Sequence, residues 1–65
     1  MIDVNGIPRE GCEGLSLVAL LTKLGYAEGR IAVELNGQII PRRKYPEQRV
    51  SEGDHLEVVT FVGGG

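Results

Sequence analysis

The residues most suggestive of a chemical role lie at the carboxyl end, where the sequence "TFVGGG" ends in Gly63, Gly64 and Gly65. Glycine has no side chain to pack and loses the most conformational freedom when it is ordered. A triple-glycine end therefore contributes little to folding. Either this end is a frayed or engineered terminus without a role, or the terminal carboxylate is the group that the protein offers to a partner.

The other reactive side chains do not indicate a second site. Cys12 lies in "GCEG", and a catalytic thiol needs more activation than a nearby helix alone, so we predict an ordinary surface or part-buried thiol. His55 has no evident partner and is predicted to be structural or exposed. One cysteine and one histidine do not make a zinc site. The carboxylates show no paired spacing for acid–base catalysis, and no P-loop is present. The sequence thus predicts no catalytic residue, metal or cofactor.

Size and charge restrict the function further. The chain has 65 residues and a formal net charge of −2, which argues against a general affinity for nucleic acid. No apolar run reaches the roughly 20 residues that span a bilayer, and the start lacks the pattern of a secretory leader. We therefore predict one soluble, cytoplasmic domain. The basic run at residues 42–44 is expected to be a solvated loop, although steering of an acidic partner is an alternative.

Two Asn-Gly pairs predict tight hairpins. Asn5-Gly6 and Asn36-Gly37 each follow an alternating strand pattern, and Asn-Gly suits the two positive φ angles of a type I′ turn. Pro8 makes the first return strand short or an edge strand, and Pro41 ends the second one. The following "RRKYPEQR" is predicted to be a polar, irregular connection.

A short amphipathic helix is predicted between the hairpins. Its apolar stripe has the i, i+3, i+4, i+7 spacing of a helix face and consists of Leu17, Leu20, Leu21 and Leu24. Ser16 is the expected N-cap, and Gly25 suits the left-handed position after the last turn. We expect the leucines to pack on the strand residues Ile2, Val4, Val33 and Val58.

The last strand follows a turn at residues 52–54 and alternates strongly. Leu56, Val58, Thr60 and Val62 share one face, whereas Glu57, Val59 and Phe61 share the other. The order β-β-α-β-β-β has a single helix, which covers one sheet face, so the fold class is two-layer α+β. Val59 and Phe61 would then lie on the open face near the glycines. We interpret them as a partner-docking surface; the alternative is residual core or ordinary exposed apolar residues.

Three stretches resemble one family. "LNGQIIPR", "EGDHLEVV" and "FVGGG" resemble the thiamine-biosynthesis sulfur carrier (ThiS) family, and the opening "VNGIPRE" and the helix agree in place and character. The resemblance covers the whole chain. It implies a ubiquitin-like β-grasp fold, with a mixed sheet of about five strands and one helix packed on one face. The domain would span residues 1–62, and residues 63–65 would form a flexible glycine tail.

The resemblance also implies a function. Gly65 would be adenylated by an E1-like enzyme of the ThiF type, and a cysteine-derived sulfur donor would convert the adenylate to a thiocarboxylate. A thiazole synthase of the ThiG type would then accept the sulfur. Gly64 would allow a narrow approach in a partner's channel, and Gly63 would add a flexible residue. The chain itself would be a carrier and co-substrate rather than an enzyme.

Three other functions stay open on the sequence. The chain could be the small subunit of a molybdopterin synthase (MoaD type), which also carries sulfur on a terminal glycine. It could be a ubiquitin-like protein modifier, attached to lysines of other proteins. It could also be a passive β-grasp interaction module whose tail has no chemical role.

Overall fold

The computed structural model describes residues 1–26 and 29–61. The predicted order of strands and helix is confirmed across these ranges. The elements are β1 (Ile2–Val4), β2 (Ile7–Arg9), α1 (Leu17–Leu24), β3 (Ile31–Leu35), β4 (Gln38–Ile40), a 3-10 helix (Arg42–Lys44) and β5 (His55–Thr60).

The five strands form one mixed sheet in the order β2-β1-β5-β3-β4. β5 is central: it runs parallel to β1 and antiparallel to β3. The two hairpins supply the outer strands, because among the described strands β2 pairs only with β1 and β4 only with β3. Pro8 therefore lies in a short edge strand, as predicted.

Both hairpin turns have the predicted backbone. Asn5 and Gly6 have φ angles of 53° and 81°, and Asn36 and Gly37 have 52° and 85°. Positive φ at both central positions matches the right-handed twist of the flanking strands. The residue pair Asn-Gly therefore fixes each turn locally.

The helix has the predicted caps. The Ser16 side chain accepts a hydrogen bond from the Ala19 N–H at 3.1 Å. At the other end, Gly25 has a φ of 86° and donates to the Thr22 carbonyl, while the Tyr26 N–H donates to the Leu21 carbonyl. This is the Schellman arrangement, which satisfies carbonyls left free at a helix end. The helix has only eight residues, so its stability depends mainly on packing.

The core lies between the helix and one face of the sheet, as expected. The helix contributes three buried leucines, and β1, β3 and β5 contribute the residues facing them. The buried members named in the prediction are Leu17, Leu20, Leu21, Ile2, Val4, Val33 and Val58; Leu24 is only partly buried.

The connection before β5 differs from its predicted irregular, polar character. Tyr45 and Val50 are both buried in the core. Val50 also exchanges backbone hydrogen bonds with the loop before the helix, donating to Leu15 at 3.0 Å and accepting from Gly14 at 2.8 Å. Tyr45 and Val50 are isolated apolar residues among polar ones, so they form no periodic pattern from which their burial could be predicted.

Cys12 is more deeply buried than predicted. Its side chain belongs to the core, and its Sγ–H donates to the Glu10 carbonyl at 3.5 Å. A buried thiol of this kind packs as a small apolar side chain and is inert. Among the described residues, no helix has the length and apolar character to cross a membrane.

Candidate functional site

The candidate site is the end of β5, and side chains from both Asn-Gly turns hold that strand. The Asn5 Oδ1 accepts from the Val58 N–H at 2.7 Å, and its Nδ2 donates to the Val58 carbonyl at 3.1 Å. The backbone pairing of β1 with β5 reaches only Val4 and Leu56. The Asn5 amide therefore continues this ladder beyond the end of β1.

Asn36 holds the beginning of β5 from the other side. Its Oδ1 accepts from the His55 N–H at 2.9 Å, and its backbone N–H donates to the His55 carbonyl at 2.8 Å. Its Nδ2 donates to the Asp54 carboxylate at 3.1 Å. Sequence reasoning assigned both asparagines to their turns alone, because their partners lie far along the chain.

β5 ends at Thr60, and one backbone hydrogen bond follows it, from the Phe61 N–H to the Arg30 carbonyl at 2.8 Å. Val62 and the predicted tail residues Gly63, Gly64 and Gly65 lie outside the described residues. The predicted roles of these glycines, and the boundary between domain and tail, remain predictions. The described strand leads directly to them.

The basic run lies beside the same end of the sheet. The Arg42 guanidinium donates to the carbonyls of Gly29 and Ile31 at 2.9 and 3.3 Å. It thus fixes the backbone at the beginning of β3, next to the end of β5 at Thr60. Arg43 and Lys44 are exposed, as predicted, but the run forms a 3-10 helix rather than the loop that we predicted.

The open sheet face presents the predicted apolar residues. Val59 is 51% exposed and Phe61 is 53% exposed, so their predicted exposure is confirmed, whereas their docking role is not tested. Ile39 on β4 is 73% exposed and faces the same side by its register with β3. The sequence pattern missed Ile39, since "QII" is too short to show which isoleucine faces outward.

Charged groups cluster at the opposite end, where β5 begins. The His55 imidazole contacts the Asp3 carboxylate, and the Met1 ammonium contacts Glu52 and lies 3.0 Å from Glu13. The hydrogen bond from the ammonium holds the pKa of Glu13 below its ordinary value of 4.5. The described part of the chain contains no group of three or more acidic, histidine or cysteine side chains that could bind a metal ion.

These features define a class of protein. A mixed five-stranded sheet with one helix on one face, and a central last strand that leads into Gly-Gly, is the architecture of a ubiquitin-like β-grasp carrier. The ThiS family model matches residues 2–65. The chain therefore belongs to the ThiS family of sulfur carriers of thiamine biosynthesis.

Individual relatives agree with this membership. The "Sulfur carrier protein ThiS" of Thermus thermophilus is 34% identical over 65 residues, which cover 100% of both chains. A crystal structure of a thiamine biosynthesis protein (ThiS) from Geobacter metallireducens matches with a TM-score of 0.79 and 36% identity. That match covers 98% of this chain and 97% of the other.

A larger relative contains the same kind of segment. A thiazole synthase of Paramagnetospirillum magneticum is 40% identical over 62 residues, which cover 95% of this chain but 19% of that protein. This chain therefore spans only about a fifth of that relative's length. A ThiS-like segment and a thiazole synthase thus occur together in one polypeptide.

Proposed function

We propose that this chain carries sulfur as a thiocarboxylate on Gly65 and donates it for thiazole formation in thiamine biosynthesis. The observation that carries the proposal is the family match, which continues through residue 65. The central position of β5 supports it, because the strand that precedes the glycines in the sequence is paired on both sides.

The chemistry explains the need for glycine. A carboxylate is a poor electrophile, so one of its oxygens first attacks the α-phosphate of ATP and releases pyrophosphate. The terminal sulfur of a cysteine persulfide then attacks the acyl-adenylate and expels AMP. A second thiolate then attacks the cysteine sulfur of this acyl disulfide and breaks the S–S bond that came from the persulfide, which leaves the thiocarboxylate on Gly65 and a disulfide between the two cysteines. Gly64 and Gly65 place no Cβ near the reacting carbonyl.

The proposal assigns these steps to partners. An E1-like adenylating enzyme of the ThiF type would bind ATP and activate Gly65, and a cysteine-derived donor would supply the sulfur. A thiazole synthase of the ThiG type would accept it. The relative that joins a ThiS-like segment to a thiazole synthase supports this last partner.

Docking would use Val59 and Phe61 on the open face. Ordering the tail in a partner's channel costs about 1–2 kcal/mol per backbone residue, and contact with the folded domain must offset this cost. Both side chains are about half exposed; Val59 lies on β5 and Phe61 directly follows it. Their position allows them to contact a partner that holds the glycines.

The test is intact-protein mass spectrometry after incubation with an E1-like adenylating enzyme, ATP and a persulfide donor. We expect a mass increase equal to the exchange of one oxygen for sulfur, and no change when ATP is omitted. An unchanged mass with a partner that modifies another ThiS protein would contradict the proposal. Isopeptide adducts on lysines would indicate a modifier instead, and sulfur transfer only to a molybdopterin-synthase large subunit would indicate the MoaD type.

A further inference from the structure

Both Asn-Gly turns contain the two groups that react with each other in deamidation. In this reaction the backbone nitrogen of the following residue attacks the amide carbon of asparagine, and glycine permits the approach because it has no side chain. Gly6 and Gly37 are exposed, and neither N–H donates to a backbone carbonyl among residues 1–26 and 29–61. Both attacking nitrogens are therefore accessible to solvent.

The Asn5 amide is held by part-buried groups. Its Oδ1 and Nδ2 atoms both bond to the backbone of Val58, and these two hydrogen bonds are part-buried. The Tyr26 hydroxyl also accepts from Nδ2 at 3.5 Å. To turn its amide carbon towards Gly6, Asn5 must leave the N–H and carbonyl of Val58 without their partner, which is costly for groups shielded from water.

The Asn36 amide is held only by exposed groups. Its Oδ1 accepts from the His55 N–H and its Nδ2 donates to the Asp54 carboxylate, and both hydrogen bonds lie at the surface. When the Asn36 side chain rotates away, water can replace it at both partners, so little free energy is lost. The amide carbon of Asn36 is therefore more available to Gly37 than that of Asn5 is to Gly6.

We propose that Asn36 is a site of spontaneous deamidation in the folded domain, whereas Asn5 is protected until the domain unfolds. The Gly37 nitrogen gives its proton to solvent and bonds to the amide carbon of Asn36, and the bond from that carbon to Nδ2 breaks with release of ammonia. Water then opens the resulting succinimide ring and leaves an aspartyl or isoaspartyl residue at position 36. The reaction needs no partner or oxidant, so this inference is independent of the proposed function.

The product should loosen the beginning of β5. An isoaspartyl linkage adds one methylene group to the main chain of a turn in which Asn36 and Gly37 both have positive φ. The new carboxylate also replaces the donor to Asp54 by a like charge. We therefore expect the modified chain to unfold at a lower temperature than the unmodified one.

The test follows both sites in the complete folded chain during incubation at mildly alkaline pH. Cleavage by trypsin at the arginines places the two asparagines in separate peptides, residues 1–9 and 31–42. Mass spectrometry should show the exchange of NH₂ for OH at Asn36 at least about tenfold faster than at Asn5. Isoaspartyl methyltransferase should label the same product. In guanidinium chloride both sites should react at similar rates, because the contacts of the folded domain are lost.

The Asn36→Gly variant is the matched control, because glycine adopts the positive φ of the turn and has no amide to lose. Its 31–42 peptide and its unfolding temperature should stay constant during the incubation. The unfolding temperature of the unmodified chain should fall as the product accumulates. Equal rates at Asn36 and Asn5 in the folded chain, a faster reaction at Asn5, or no reaction at Asn36 would overturn the inference.

Discussion

At the scale of single residues, the two turn asparagines have two roles each. Their positive φ angles of 53° and 52° form the hairpins, and their side chains hold the backbone of β5 at Val58 and His55. The first role is local and could be predicted from Asn-Gly. The second could not, because the Asn5 contact joins residues 53 positions apart.

The substitution Asn5→Gly separates these roles. Glycine adopts positive φ without strain, so the turn should persist, while the Val58 N–H and carbonyl lose their part-buried partner. We expect the free energy of unfolding to fall by about 1–3 kcal/mol, measured by urea denaturation. The Asn5→Asp variant keeps the acceptor for the Val58 N–H but loses the donor to the Val58 carbonyl. Its free energy of unfolding should therefore lie between those of Asn5→Gly and the unmodified chain. If Asn5→Gly were as stable as the unmodified chain, the side-chain clamp would have no energetic role.

At the scale of elements, local patterns predicted the helix, both hairpins and the alternation of the last strand. Caps, turn dihedrals and periodicity depend on neighbouring residues, so one sequence contains enough information for them. The place of β5 between β1 and β3 depends on pairing between distant segments, which no local pattern contains. Alternation within the last strand was enough to predict Val59 and Phe61 on the open face. The opposition of Glu34 and Glu57 could not be predicted, because it depends on the register between β3 and β5.

The connection at residues 41–50 shows where local patterns fail. Tyr45 is only 6% exposed, although charged and polar residues surround it in the sequence. We expect Tyr45→Ala to lower the free energy of unfolding by about 3–5 kcal/mol, as for other large aromatic truncations in a core. Tyr45→Phe keeps the ring and serves as the control, with an expected loss below about 1.5 kcal/mol. A loss below that value for Tyr45→Ala, measured in urea, would show that the connection is not part of the core.

At the scale of the whole molecule, the described core and the residues to which we assign the proposed chemistry are different parts of the chain. The buried core found within the described residues extends only to Val58, and their strand pairing extends only to Thr60. The glycines that the proposed function requires come later in the sequence. The stability of the domain should therefore not depend on the group that reacts.

Deletion of Gly65 tests this separation. We expect the shortened chain to unfold at the same temperature as the complete one, because no described core contact is lost, and to give no thiocarboxylate in the mass assay. Val59→Ser is a useful comparison, since it should also leave folding nearly unchanged but weaken docking. A large fall in the unfolding temperature on deletion of Gly65 would contradict the separation.

The central place of β5 also affects how the protein is made. The β1–β2 and β3–β4 hairpins are bonded to each other only through β5 among the described strands. On the ribosome, the two hairpins therefore emerge without a strand to join them, and pairing of β1 with β5 must bridge more than 50 residues, a slow kind of closure. An interrupted chain that lacks residues 55–60 would expose two unjoined sheet edges, which favour aggregation.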